Sequence, residues 1–259
     1  MLILRSLAFN VAFYINILLW MVLCLPGFLL PTRMLLRVVH MWSASNHWLL
    51  EHIAGVKMEL RGAEKLPKDG CIIASKHQSA WETVSVFNLF PFPAFILKRE
   101  LMWIPMFGWY AWRLNMIPVD RGRGSAALKQ MAARAAEEIV HNRQILIYPE
   151  GTRRPAGAPP EYKYGVAKLY ADLGARVVPV ALNSGIYWPR RTFIKYPGTI
   201  VMEFLDPIEP GLDTRAFLAE LQGRIEAASD RLIEEAAAAV NPSPVAIEAL
   251  AALRARQAG

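Results

Sequence analysis

The chain has 259 residues, 54% hydrophobic and 20% charged, with a mean hydropathy of +0.23. That composition excludes a disordered or fibrous protein, is more apolar than an ordinary soluble one, and fits one domain with a membrane-associated appendage. The net charge of +7 is concentrated in the middle, where residues 98–176 carry 13 basic and 7 acidic side chains; this points to an anionic ligand or surface. Cys24 and Cys71 are far apart in dissimilar contexts, which supports neither a disulfide framework nor a cysteine metal site and fits the cytoplasmic side of a membrane.

From Leu7 to Leu30 there is no charge, only Asn10 and Asn16 within an aliphatic and aromatic run. Pro26 and Gly27 should break a helix there, leaving a limb of roughly 28 Å against a hydrocarbon core of about 30 Å. Beyond the break, Leu35, Val38, Val39, Trp42, Leu49 and Leu50 recur at helical spacing, with Arg37, His40 and Ser43 off that stripe, which predicts an interfacial amphipathic helix. A two-helix membrane hairpin over residues 1–54 is therefore expected in preference to a clean span. A cleaved signal peptide is disfavoured, because the run is too long and lacks a small-x-small site. Arg33 and Arg37 after the run outnumber Arg5 before it, which places the remaining chain on the cytoplasmic face of the inner membrane.

From Gly55 onward, short apolar runs alternate with helical stretches. Strands are predicted at 71–75, 94–97, 116–119, 145–148, 177–182 and 200–205, and helices at 79–89, 125–141 with Ser125 as N-cap, 164–173 and 214–239. This alternation predicts an α/β domain over residues 55–240, a largely parallel central sheet flanked by helices, followed by a tail at 241–259 ending in a short Ala-rich helix.

Sites in such sheets form at the carboxyl ends of strands. After the strand at 71–75 comes KHQSAWE. Residues five apart on one helix stand about 140° apart, but a His just before a helix and a Glu in its first turns can meet. Glu82 can then take the Nδ1 proton of His77 and leave Nε2 as a base; the alternative is a structural histidine. After the strand at 145–148 comes PEGTRR, where Gly151 permits close backbone approach and Arg153 can hold a phosphate bidentately, or the segment is a solvated turn. The third constellation runs from Lys98 and Arg99 through the Trp103–Trp109 aromatic cluster to Asp120 and Arg121, suited to an amphiphile or to rest on a bilayer.

Together these blocks resemble the glycerolipid acyltransferase family over residues 55–210. His77 and Glu82 match its His-x4-acid block, KRELMWIPMFGWY with IPVDR its second, YPEGTRR its third, and VVPVAL with Pro179 its fourth. Two positions depart from the common pattern: Glu82 stands where Asp is usual, and Arg154 where a small polar residue is frequent.

The resemblance implies acyl transfer from a thioester, either acyl coenzyme A or acyl-carrier protein, to the free hydroxyl of lysophosphatidic acid, giving phosphatidic acid. No acyl-enzyme, cofactor or metal is implied. His77 would be the base and Glu82 its partner; Arg121 and Arg153 would hold the phosphate, with Lys98 and Arg99 as weaker ligands, and Glu150, Gly151, Thr152 and Pro179 would shape the pocket. Another lyso-lipid or glycerol 3-phosphate is an alternative acceptor. A non-catalytic anionic-lipid module is the rival of a different class, but it has no use for His77 and Glu82 at a strand end. Nucleic acid is not an expected partner, because basic and aromatic residues do not interleave on one element.

Overall fold

The computed structural model describes residues 1–258, the side chain of Arg121 excepted. Its centre is a seven-stranded sheet in the order β1-β7-β6-β2-β5-β3-β4. The strands are β1 (Val56–Arg61), β2 (Cys71–Ser75), β3 (Pro93–Lys98), β4 (Ile117–Val119), β5 (Gln144–Ile147), β6 (Val177–Leu182) and β7 (Gly198–Phe204). All neighbouring pairs are parallel except β6 with β7, so the expected largely parallel α/β sheet is present.

The central strands are short runs buried along their whole length, as a sheet covered on both faces requires. Successive side chains serve opposite cores. Cys71, Ile73, Leu146 and Val180 face one, whereas Ile72, Ala74, Ile145 and Ile147 face the other, which is built from α5 (Gly124–Ile139), α6 (Gly165–Leu173) and α8 (Thr214–Ala237). Edge strand β1 alternates apolar and charged residues, and its polar half hides it from a search for apolar runs.

The first core is completed by the N-terminal hairpin. α1 (Leu2–Leu23) is followed by a 3₁₀ turn at Leu25–Leu29 containing Pro26 and Gly27, then by α2 (Thr32–Leu49). Phe9, Phe13, Leu35, Leu36 and Val39 pack in one cluster with Ile73 and Val180, so the hairpin and the α/β domain share a core across residue 54. The α2 stripe is thus buried against the sheet rather than laid on a bilayer. Ser43 belongs to the buried face, with its hydroxyl 3.0 Å from Asn88 Oδ1. The opposite face of α1, through Leu4, Leu7, Val11, Ile15, Leu18 and Val22, is exposed. The two asparagines of this helix point inward: Asn10 donates to Phe193 O, and Asn16 donates to Ser45 Oγ and Asn46 Oδ1.

Two predicted helices differ. The one expected at 79–89 shortens to α3 (Trp81–Val84) and a 3₁₀ turn at Phe87–Leu89, and residues 78 and 79 stay outside the helix, their amides donating to the Glu82 carboxylate. α5 starts at Gly124 with Arg123 as N-cap and no side-chain cap, while Asp120 caps the preceding Arg121–Arg123 turn; Ser125 is not the N-cap. α4 (Phe107–Arg113), α7 (Ser184–Tyr187) and β1 are additional elements, and the tail forms α9 (Pro244–Ala258), which buries Ala246, Ala249 and Leu253.

Candidate active site

β2 delivers Lys76, His77, Gln78 and Ser79 to the carboxyl edge of the sheet. His77 Nδ1 lies 4.0 Å from Glu82 Oε1, and the imidazole stacks on the Tyr148 ring with centroids 4.0 Å apart at 15°. A separation of 4.0 Å exceeds a hydrogen bond, and catalytic bonds of this kind commonly tighten only with substrate. Tyr148 also donates its hydroxyl to Glu82 O at 2.8 Å, so one residue orders both members of the pair.

Glu82 is only 1% exposed. Oε1 accepts from Gln78 N at 2.7 Å, Ser79 N at 3.0 Å and Ser184 Oγ at 2.9 Å, and Oε2 accepts from Ser79 N at 3.0 Å. These donors account for the glutamate: its longer stem folds back onto its own turn, so the carboxylate stands between that turn and His77. Burial pushes the acid up to about 7, opposed by the hydrogen bonds from Gln78, Ser184 and Ser79.

The segment after β5 interlocks with this loop. Arg154 N donates to His77 O at 2.8 Å, and its guanidinium binds Glu161 at 3.0 Å and Pro159 O at 2.9 Å. The departure at Arg154 therefore ties the histidine loop to residues 159–161. Gly151 adopts φ +66°, the left-handed region that favours glycine, closing a turn onto Tyr148 O.

Glu150 does not shape an open pocket. It is 2% exposed, and its Oε1 lies 3.1 Å from Lys76 Nζ, which also binds Glu226 Oε1 at 2.6 Å. Tyr162 donates to the same Glu226 oxygen at 2.9 Å, and Arg256 of α9 approaches Glu226 Oε2 at 3.7 Å. Burial raises the Glu150 pKa while the Lys76 ammonium lowers it. This ionic cluster holds Lys76, the residue before His77.

Pro179 is likewise inside the sheet, buried and paired in register with Ala74. Its missing N–H falls between the β7 ladder and the Val177–Ile208 bridge, so no ladder bond is lost. Thr152 is exposed.

The predicted cations divide. Arg153 lines a cavity of about 180 Å³ together with Ala80, Trp188, Arg190, Arg191 and Lys195, walled by α1 residues such as Asn10 and Tyr14. Lys98 and Arg99 end β3, which β5 separates from β2, and they pair with Glu100 at 2.9 Å and Asp120 at 3.0 Å. The Arg121 side chain lies outside the described residues. Among the described residues no group of three or more His, Cys, Asp or Glu could hold a metal ion.

The sequence did not signal Ser184, Tyr148 or Lys76 as site residues. Ser184 stands two residues past the end of β6, as His77 does past β2, so the strand-end rule that selected His77 applies to it too. Lys76 and Glu226 are 150 residues apart, and nothing local pairs them.

The fold brings His77 and Glu82 together at the carboxyl edge of a largely parallel sheet, the place where α/β enzymes carry their sites. The family model described as Acyltransferase matches residues 57–183. The 1-acyl-sn-glycerol-3-phosphate acyltransferase of Pseudomonas aeruginosa is 39% identical over 77% of this chain and 78% of its own length. The 1-acyl-sn-glycerol-3-phosphate acyltransferase alpha of Mus musculus is 26% identical over 61% of this chain, spanning 57% of the mouse protein. The chain belongs to the acyltransferase family. Its fold is that of the 1-acyl-sn-glycerophosphate acyltransferase PlsC of Thermotoga maritima, with a TM-score of 0.75 at 22% identity, covering 90% of this chain and 98% of that one.

Proposed function

We propose that this enzyme transfers an acyl chain from an acyl thioester to the free sn-2 hydroxyl of 1-acylglycerol 3-phosphate, forming phosphatidic acid. The observation that carries the reading is the His77–Glu82 pair on the loop whose Ala80 lines a cationic cavity walled by an apolar helix, in a chain whose relatives are named for this reaction.

His77 Nε2 takes the hydroxyl proton as the oxygen attacks the thioester carbonyl. The new C–O bond forms, the C–S bond breaks, and the leaving thiolate recovers the proton from the imidazolium. Glu82 stabilises that imidazolium through Nδ1, and the Tyr148 ring fixes its plane. A positioned base contributes roughly 10² to 10⁴ in rate; the rest comes from holding acceptor and thioester together. Arg153 is the phosphate ligand, with Arg121, Lys98 and Arg99 as secondary candidates beyond β5. Acyl coenzyme A or acyl-carrier protein is the donor, and the scheme uses neither cofactor nor metal.

The hairpin supports attachment to one leaflet. α1 is long and apolar enough to cross a membrane, yet it is tied to the α/β domain along its length: Lys195 N donates to Ser6 Oγ at 3.0 Å, Asn10 binds Phe193 O at 2.9 Å, and Tyr110 of α4 binds Met21 O at 2.7 Å. A helix so fastened presents its outer face to lipid without crossing. The exposed Trp103, Trp109 and Trp112 suit the same interface. The two free cysteines favour the cytoplasmic face.

The test is to give purified protein both donors with a panel of lysophosphatidic acid, lysophosphatidylcholine, glycerol 3-phosphate and monoacylglycerol. Phosphatidic acid should be the dominant product. Preferential acylation of any other acceptor would overturn the assignment.

A further inference from the structure

The cavity beside Ala80 holds more positive charge than the reaction scheme has used. Arg190, Arg191 and Lys195 line it with Arg153, and among the described residues no carboxylate lines it. None of the four makes an ion pair within 4.0 Å among the described residues, whereas Arg99, Arg123, Arg154 and Lys98 all do. Like charges gathered without counter-ions cost stability unless an anion joins them.

Three further features show that the arrangement is built. Arg190 donates to Arg153 O, which fixes the two arginines side by side. Arg191 adopts φ +57°, a left-handed conformation that costs a non-glycine residue about 1–2 kcal/mol and recurs at ligand clamps. Lys195 is 2% exposed, its ammonium held by the carbonyls of Thr192 and Phe193 at 3.3 and 3.0 Å and 5.3 Å over the Trp188 ring. Burial pulls it down to about 8, and an anion nearby would raise it again.

We propose that this cavity seats the acceptor's phosphate monoester, gripped by Arg153, Arg190 and Arg191 with Lys195 behind them, and that α1, through Asn10 and Tyr14, is the wall past which the lyso-lipid enters from the bilayer. The proposal rests on the acceptor assigned above. Planar guanidinium groups meet two phosphate oxygens at once, and three of them match a group carrying nearly two charges. A phosphate-bearing donor offers the same chemistry. The acceptor is the better occupant because the wall is the helix whose other face is apolar and exposed, and because Ala80 places the cavity within three residues of His77.

Arg191→Gly is the decisive variant, because it deletes the guanidinium while relaxing the backbone and cannot fail by straining the fold. Full-length protein in mixed micelles is assayed with lysophosphatidic acid and acyl coenzyme A varied independently, and lysophosphatidic acid binding without donor is followed as a rise in Tm. The expected result is a KM for lysophosphatidic acid raised about tenfold or more, a donor KM within about twofold of wild type, a smaller ligand-induced Tm rise and an unliganded Tm equal or higher. An unchanged acceptor KM, or a donor KM that rises instead, overturns the proposal while leaving the acyltransferase reading intact. Wild-type protein that binds lysophosphatidic acid through Arg191 without acylating it would overturn the reading and leave the cavity assignment standing.

Discussion

Ser184 Oγ lies 2.9 Å from Glu82 Oε1, so the first residue of α7, just past β6, grips the carboxylate that faces His77 at the end of β2. The hydroxyl favours the ionised acid and opposes the effect of burial. Ser184→Ala should raise the Glu82 pKa further and move the rising limb of the kcat/KM profile to higher pH by roughly one unit, the effect of losing one hydrogen bond to a charged group. A limb that stays in place in a folded Ser184→Ala protein would contradict this coupling.

The carboxylate also predicts a pH-dependent stability. Its folded pKa is raised to about 7 from 4.5, so between those values the folded state keeps a proton that the unfolded chain has lost. Stability relative to Glu82→Gln should fall by roughly 3 kcal/mol as pH rises through this window and then level off. Activity runs the other way, because the base needs neutral His77 and ionised Glu82: kcat/KM should climb through about pH 7 with the limb belonging to the pair. Melting curves of both proteins from pH 4.5 to 8.5 check the first, and steady-state rates the second.

Lys76 bridges Glu150 and Glu226 with 4% of its side chain exposed. Lys76→Met leaves the buried Glu150 without its cation and Glu226 with Arg256 alone, and should cost about 3–5 kcal/mol, seen as a Tm roughly 10 °C lower. An unchanged Tm would contradict this.

Deleting the hairpin would expose the core around Phe9 and Leu35 as well as remove any anchor, so membrane attachment is better probed from outside. Leu18 and Val22 are 64% and 59% exposed. The double variant Leu18→Arg, Val22→Arg should no longer float with liposomes, while its Tm stays within about 2 °C and its rate on micellar acceptor within about threefold. Continued flotation would move the anchor to the Trp103–Trp112 region.

Legibility in the sequence followed burial. β2 and β6 are apolar throughout because both faces are covered, and their bounds are readable to the residue; β1 alternates with Lys57 and Glu59 and was invisible. α4 is obscured by its aromatic sequence after Pro105 and by Met106, which enters it at φ +63°. His77 and Glu82 were readable because five residues contain both partners. The turn before α3 was not, since the Glu82 carboxylate bonds back to the amides of Gln78 and Ser79 as well as facing His77. Arg190 and Arg191 look like a solvated turn after Pro189, and only the packing of α1 turns that side into a cavity.

The central claim is that His77 is the base of an acyl transfer to a lyso-lipid. The most direct measurement is turnover of labelled acyl thioester and lysophosphatidic acid into phosphatidic acid by wild type and by His77→Ala of matched Tm. The expected result is product from the wild type and a loss of at least about 10² in kcat for the variant, with both KM values within about threefold. A folded His77→Ala protein that turns over at near the wild-type rate would contradict the account.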